Sequence, residues 1–148
     1  TTLANYCYSD MFNGCTSLVN APELPATTLA PHCYHGMFNR CTSLENAPEL
    51  PATTLANSCY FSMFSGCSSL VNAPELRATT LADYCYDMMF YECTSLNKIT
   101  MLATDISATE CLKDWVNGVA ATGTFTKAAS MTSLPNGIHG IPTGWTVQ

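Results

Sequence analysis

The sequence predicts an α/β fold, a right-handed solenoid of 26-residue helix–short-strand repeats that ends in a small β-rich C-terminal cap. Residues 1–26 recur at 27–52 and at 53–78, each time with 20 of 26 positions identical to the first block. Residues 79–104 are a more distant copy, whereas 119–148 do not repeat. A unit of this length buries no core alone, so the repeats are expected to stack, with parallel strands and right-handed crossovers.

The expected boundaries are a solenoid over residues 1–118 and a cap over 119–148. Cys111 keeps the register of Cys85 and its earlier equivalents, which predicts a degenerate fifth repeat before the cap. The full repeats of the predicted solenoid are 1–26, 27–52, 53–78 and 79–104.

The first half of each repeat is predicted to be an amphipathic helix, because its apolar residues recur three, four, seven and eight positions apart. Thr28 is a candidate N-cap, with Pro31 in the first turn, and Gly14 and Gly66 stand where a helix would end. In the first repeat the apolar residues are Leu3, Ala4, Cys7, Tyr8, Met11, Phe12 and Cys15.

The second half of each repeat is predicted to be a short strand that stops before a proline, because proline cannot donate to a ladder. These prolines are Pro22, Pro48 and Pro74. The fourth repeat replaces the proline segment with "LNKITML", which favours a better strand and aligns Met101 with the Glu23 column. This alignment predicts that the Ala21 column faces inward and that Val19 and Asn20 lie nearer the outside.

The tail has turn residues and two strand-like segments, "GTFTK" and "GWTVQ". Before it, Ser107 and Glu110 fit a capping box for a last helix that includes Trp115 and Val116. A solenoid needs a terminal cap to cover its last open core. The predicted cap core is Trp115, Phe125, Ile138, Ile141 and Trp145.

The repeating segment "MFNGCTSLVNAPEL" resembles the leucine-rich repeats of BspA-type bacterial surface proteins. Met11, Phe12, Cys15 and Leu18 carry the resemblance, and the motif recurs at Met37, Met63 and Met89. The resemblance covers residues 1 to about 118 and departs from the family at "APELP". The tail resembles C-terminal segments of surface or phage-tail-like proteins of gut Bacteroidetes.

Charge and hydropathy exclude several partners. Charged residues make up 11% of the chain and its net charge is −6. The few cations are scattered, whereas nucleic-acid binding requires a clustered basic face, so nucleic acid is not expected as a partner. No apolar run reaches the roughly 20 residues that span a bilayer, so direct membrane insertion is not expected. No catalytic, cofactor or phosphate-loop motif occurs, which favours a non-enzymatic protein without a cofactor.

Nine cysteines fall in repeating columns and are expected to be small buried side chains. Disulfide stapling and zinc binding remain as less favoured alternatives, since no Cys-x2-Cys pair exists. His32 and His35 could suggest a metal site, but a solvated face is the favoured interpretation. The column of Glu23, Glu49 and Glu75 could bind calcium or be splayed into solvent.

The predicted function is a non-enzymatic module of a bacterial cell surface that binds a host or bacterial surface protein or a glycan. Its expected location is extracellular, and end-to-end self-association through the open first repeat is a further expectation. The alternative is a structural spacer or stalk of a larger surface or phage-tail-like protein. The variable outer columns of the predicted helix are the second choice for a binding face. The first choice is the strand side: Val19, Asn20, Glu45, Asn46, Val71, Asn72, Asn97 and Lys98.

Overall fold

A computed structural model describes residues 3–148 and contains no helix in that range. Its strands are β1 (Lys98–Met101), β2 (Thr124–Lys127) and β3 (Thr146–Val147), which form one parallel sheet in the order β1-β2-β3. The predicted α/β solenoid of helix–strand repeats is therefore wrong. The description of the chain as a BspA-like leucine-rich-repeat solenoid, and as an extracellular adhesion protein on that basis, loses its structural support with it.

Each predicted helix is a ten-residue run of turns. These five turn segments cover residues 5–14, 31–40, 57–66, 83–92 and 109–118. Three residues in each segment, spaced four apart, have positive φ, and in the first segment they are Tyr6, Asp10 and Gly14 at 58°, 54° and 75°. Right-handed helices require negative φ throughout, so three left-handed residues in ten rule out a helix.

Backbone N–H groups in a turn segment alternate between two kinds of partner. Cys7 and Ser9 donate to carbonyl groups three residues earlier, which closes the turns. Tyr8 and Phe12 donate to the carbonyls of Cys33 and Met37 in the next repeat, at 2.9 Å in both cases. Five such bonds, of 2.7–3.2 Å, join each neighbouring pair of turn segments. The repeats thus stack in register through a ladder of backbone hydrogen bonds.

The periodicity of the turn segments explains the wrong helix prediction. Apolar residues recur at Cys7, Met11 and Cys15 and again at Tyr8 and Phe12, a period of four. Over a dozen residues this period differs from the helical 3.6 by only about one position. The two structures therefore share one hydrophobic pattern, and only the backbone conformation separates them.

Columns of identical side chains form the core between the turn segments and the second halves of the repeats. Tyr34 and Tyr60 stack with ring centroids 6.0 Å apart, and Phe38 and Phe64 stack at 5.6 Å. Trp115 ends both columns, against Tyr86 and Phe90 of the fourth repeat. Its own neighbour in the tail is Phe125 of β2, which meets it edge to face.

The second halves of the first three repeats contain isolated bridges instead of strands. Thr28, the candidate N-cap, pairs with Thr54 in one of them. Met101 lies opposite Leu76 and not in the column of Glu23 and Glu75, which corrects the predicted alignment. Asn72 and Leu76 are four residues apart, whereas their partners Lys98 and Met101 are three apart, so the "APE" segment bulges by one residue.

The tail extends the sheet, and the two predicted tail strands are confirmed as β2 and β3. Trp115, Phe125, Ile141 and Trp145 are buried, but Ile138 is 42% exposed and does not belong to the cap core. The predicted last helix is wrong: its expected N-cap, Ser107, bonds to Asp105, and Trp115 and Val116 lie in the fifth turn segment.

Candidate binding surfaces

The eight residues predicted on the strand side all lie exposed, and we call them the asparagine edge. Two parallel bridges, Asn20 with Asn46 and Asn72 with Lys98, set the spacing of neighbouring repeats along it. Strand-type pairing places such neighbours about 4.8 Å apart. The asparagine edge consists of Val19, Asn20, Glu45, Asn46, Val71, Asn72, Asn97 and Lys98.

The structure joins the residues of the asparagine edge in pairs of repeats. The amide Nδ2 of Asn46 donates to Oδ1 of Asn20 at 2.8 Å. The backbone N–H groups of Glu45 and Asn97 donate to the carbonyls of Val19 and Val71, both at 3.0 Å. The asparagine pair holds two amides in a fixed orientation and leaves their other polar atoms facing solvent.

A second surface, the turn face, comprises variable residues of the turn segments, of which Tyr6 and Asp10 are exposed and the others are half-buried or buried. Tyr6 stacks on His32 with centroids 4.5 Å apart, and His35 stacks on Phe61 at 4.8 Å. The two histidine rings lie 5.8 Å apart. The turn face is formed by Tyr6, Asp10, His32, His35, Ser58, Phe61, Ser62 and Tyr84.

The histidines of the turn face are half-buried, so the expectation of a solvated face describes them poorly. Burial lowers the pKa of His35, and the neighbouring Asp10 opposes that effect. The Nδ1 atoms of His32 and His35 are buried without a hydrogen-bond partner. In residues 3–148 no group of three or more His, Cys, Asp or Glu side chains could hold a metal ion. The histidine pair therefore forms part of an aromatic surface.

Asp87 is the most unusual charged group near the turn face, and sequence reasoning singled it out only as a variable position. Its side chain is 3% exposed, and its Oδ1 atom has no hydrogen-bond partner. Burial raises its pKa to about 6, while Lys113 opposes the shift and Glu110 and Asp114 add to it. The only sequence signal was the change of residue type in its column, from Ser9 and His35 to a carboxylate.

Seven of the nine cysteines are buried, and all nine are free thiols. The Sγ atoms of Cys41, Cys67 and Cys93 donate to phenylalanine carbonyls in the preceding repeat at 3.0–3.1 Å. Burial raises the pKa of the Cys67 and Cys85 thiols to about 12. Because zinc ligation and disulfide exchange both require the thiolate, these buried thiols serve packing between repeats.

The glutamate column lies exposed beside shallow grooves of the bulged segments. A groove of about 570 Å³ is lined by Pro22, Glu23, Pro48 and Glu49, among others. Glu75 pairs with exposed Arg77 at 2.9 Å, which occupies one of the three carboxylates. The column is thus a solvated acidic strip and not a converging cage of oxygen ligands.

No helix of residues 3–148 has the length and hydropathy needed to cross a membrane. Apart from the two histidines, the side-chain pairs described on the two candidate surfaces are formed between repeats. Comparison of the chain with family models, with curated proteins and with solved structures gives no match.

Proposed function

We propose that the chain is a non-enzymatic binding module that recognises a protein or a glycan at a bacterial cell surface through its repeat surface. The observation that carries this proposal is the asparagine edge, a set of eight exposed side chains in which backbone bridges join repeat 1 to repeat 2 and repeat 3 to repeat 4. Rigidly spaced amides present donors and acceptors at little entropic cost on binding. Such a row suits a ligand that repeats on the same length scale.

The edge offers several chemical groups to a ligand. The asparagine amides can donate and accept, Glu45 and Lys98 supply one charge of each sign, and Val19 and Val71 add exposed apolar surface at 41% and 42%. Mixed polar and apolar contacts of this kind are typical of protein recognition surfaces. Within residues 3–148 these side chains make no side-chain hydrogen bond or ion pair apart from the Asn20–Asn46 amide bond.

The decisive experiment combines a binding screen with substitutions that already occur in the repeat columns. The purified chain is screened on arrays of glycans and of matrix proteins. We expect a saturable ligand whose affinity falls at least about tenfold in the double variant Glu45→Val and Asn46→Lys, a loss of about 1.4 kcal/mol. Repeats 3 and 4 carry Val71 and Lys98 in these columns, so the double variant is expected to fold.

The matched control changes the turn face. His32→Ser introduces the residue that repeat 3 carries at Ser58, which also has positive φ. Binding that is unchanged in the edge variant and lost in His32→Ser would move the site to the turn face and contradict our placement.

A structural spacer is the second candidate function. The same five backbone bonds recur at all four junctions of turn segments, which favours a uniform rod-like element. A chain that is folded but binds no array component, and that keeps its stack under mechanical load, would support the spacer over the binding module.

A further inference from the structure

The first turn segment presents a row of backbone carbonyl groups. In every other turn segment the equivalent carbonyls accept hydrogen bonds from the segment before it. Carbonyls at alternate positions of segments 2 to 5 each accept an N–H from the segment before, as Cys33 accepts from Tyr8. In segment 1 no N–H of residues 3–148 reaches the equivalent carbonyls. We call this row the acceptor face: the carbonyls of Asn5, Cys7, Ser9, Met11 and Asn13.

Apolar side chains are exposed around the acceptor face for the same reason. Tyr6 and Met11 are 60% and 57% exposed, whereas Met37, the equivalent of Met11, is 2% exposed. A cavity of about 270 Å³ opens there and is lined in part by Leu3, Tyr8 and Phe12. Carbonyl groups without a partner in residues 3–148 and exposed apolar side chains therefore lie on the same surface.

Cys15 adds a hydrogen-bond donor to this surface, and its equivalents show which group would accept from it. Its equivalents Cys41, Cys67 and Cys93 each donate their thiol to a phenylalanine carbonyl of the preceding repeat. Cys15 itself is exposed and makes no such bond within residues 3–148. One surface can therefore take up five N–H donors and one carbonyl acceptor, in the arrangement already present at the three junctions among the first four repeats.

The polarity of the ladder argues against a second copy as the occupant, contrary to the end-to-end self-association expected from the sequence. Two acceptor faces would bring carbonyl against carbonyl, with no hydrogen between them. The opposite end of the stack would supply donors, but the tail occupies two of the five: Asp114 N–H donates to Nδ1 of His139 at 2.9 Å, and Val116 N–H donates to the carbonyl of Ile138.

We propose that the acceptor face is a docking surface for one further coil of this same repeat, joined ahead of the first turn segment. That coil donates five backbone N–H groups to the acceptor face and places a tyrosine and a phenylalanine ring on Tyr8 and Phe12. It accepts the Cys15 thiol on its phenylalanine carbonyl. The geometry is that of the three junctions among the first four repeats, continued by one.

The test adds a coil to the whole chain. A copy of residues 53–78 is fused ahead of residue 1, and backbone amide exchange is followed residue by residue. We expect alternate amides of the added coil to exchange at least about 100-fold more slowly than in a control extension. The protected amides are the copies of Ser58, Tyr60, Ser62, Phe64 and Gly66, and the copies of Tyr60, Phe64 and Gly66 are compared with the control extension.

The control extension has the same length but carries proline at the copies of Ser58 and Ser62. Proline has no N–H and cannot adopt the positive φ of 51° that both serines have. Equal exchange in the two extensions, with native Tyr60 and Phe64 still protected, would overturn the proposal. Loss of protection at native Tyr60 and Phe64 in the extension without proline would also overturn the proposal, because a docked coil stabilises its neighbours.

Sedimentation of the chain without an added coil tests whether a second copy occupies the acceptor face. We expect a monomer at the highest soluble concentration. A dimer that is abolished by Met11→Asp would show that a second copy fills the acceptor face, and it would contradict the proposal.

Discussion

Several non-glycine residues in this chain adopt a left-handed backbone conformation that side chains disfavour. The last positive-φ position of the five turn segments holds Gly14, Arg40, Gly66, Glu92 and Gly118. A left-handed conformation costs a side-chain-bearing residue about 1–2 kcal/mol relative to glycine. The backbones of Arg40 and Glu92 are therefore strained, and the hydrogen bonds of the ladder keep them in this conformation.

Arg40→Gly is expected to raise the free energy of unfolding by about 0.5–1 kcal/mol, because glycine removes the strain but adds freedom to the unfolded chain. Urea unfolding followed by circular dichroism measures the change. The reverse variant Gly66→Arg is the matched partner and should lower stability by a similar amount. A stability loss in Arg40→Gly would show that the arginine side chain matters more than its φ.

Asp87→Asn is expected to change how stability depends on pH. The folded-state pKa of Asp87, about 6, lies above the ordinary value near 4. The folded chain therefore binds the proton more tightly, and stability decreases as pH rises from about 4 to about 6. The amide removes this decrease, so the variant should gain about 1–3 kcal/mol over the native chain at pH 7 relative to pH 4.

Urea titrations at several pH values measure the effect of Asp87→Asn. Glu49→Gln, at an exposed carboxylate, serves as the control and should change stability by less than about 0.5 kcal/mol. Parallel pH curves for Asp87→Asn and the native chain would contradict the assignment of the buried charge.

Cys67→Ala is expected to lower the free energy of unfolding by about 1–3 kcal/mol, because it leaves a void and removes the thiol bond to the Phe38 carbonyl. Cys15→Ala is the matched control in the same column. Cys15 is exposed, so its substitution should cost less than about 0.5 kcal/mol. Equal losses in urea unfolding would show that burial of this column contributes little.

At the scale of elements, the sequence was sufficient to predict the three short strands. β1, β2 and β3 were all foreseen from β-branched and aromatic residues between turn signals. The turn segments were not, because a period of four apolar residues fits both a helix and a ladder of turns. Non-glycine residues such as Tyr6 and His32 at positive φ gave no sequence warning, since glycine is the usual marker.

The candidate surfaces show the same division. Val19 and Asn20 lie outside, as the alignment of the fourth repeat with the earlier repeats predicted. The pairing of Tyr6 with His32 and of His35 with Phe61 could not be predicted, because in a helix those columns would stand about 8–10 Å apart between axes. The turn ladder brings them to stacking distance.

The tail acts as an element that ends the ladder, and His139 carries part of that role. Its Nδ1 accepts the Asp114 N–H in place of a carbonyl. His139→Ala should lower stability by about 0.5–1.5 kcal/mol and speed exchange of the Asp114 amide. Exchange at Phe64, in the middle of the stack, should change only with global stability. An unaltered Asp114 amide would show that the tail caps the stack through other contacts, such as Trp145 and the hydrogen bond from Trp115 Nε1 to the Gly140 carbonyl.

At the scale of the whole molecule, the backbone ladder and the repeated core columns make each repeat interchangeable with its neighbours. Side chains on the turn face vary freely because the ladder bonds use only the backbone. The stack should therefore behave as a sum of repeats and of junctions between neighbours. Its ends differ in polarity: one is closed by the tail and the other is the acceptor face.

Deletion of residues 53–78 tests this interchangeability. It removes one whole repeat and places segment 2 on segment 4, with the same five donors facing the same five acceptors. We expect a cooperatively folded chain with lower stability and with amide protection retained at Phe38 and Phe90. Deletion of residues 53–65, half a repeat, sets turns against bridges and should abolish cooperative unfolding. If both deletions fold equally well, register between repeats does not determine the fold, and the core columns alone would hold the stack together.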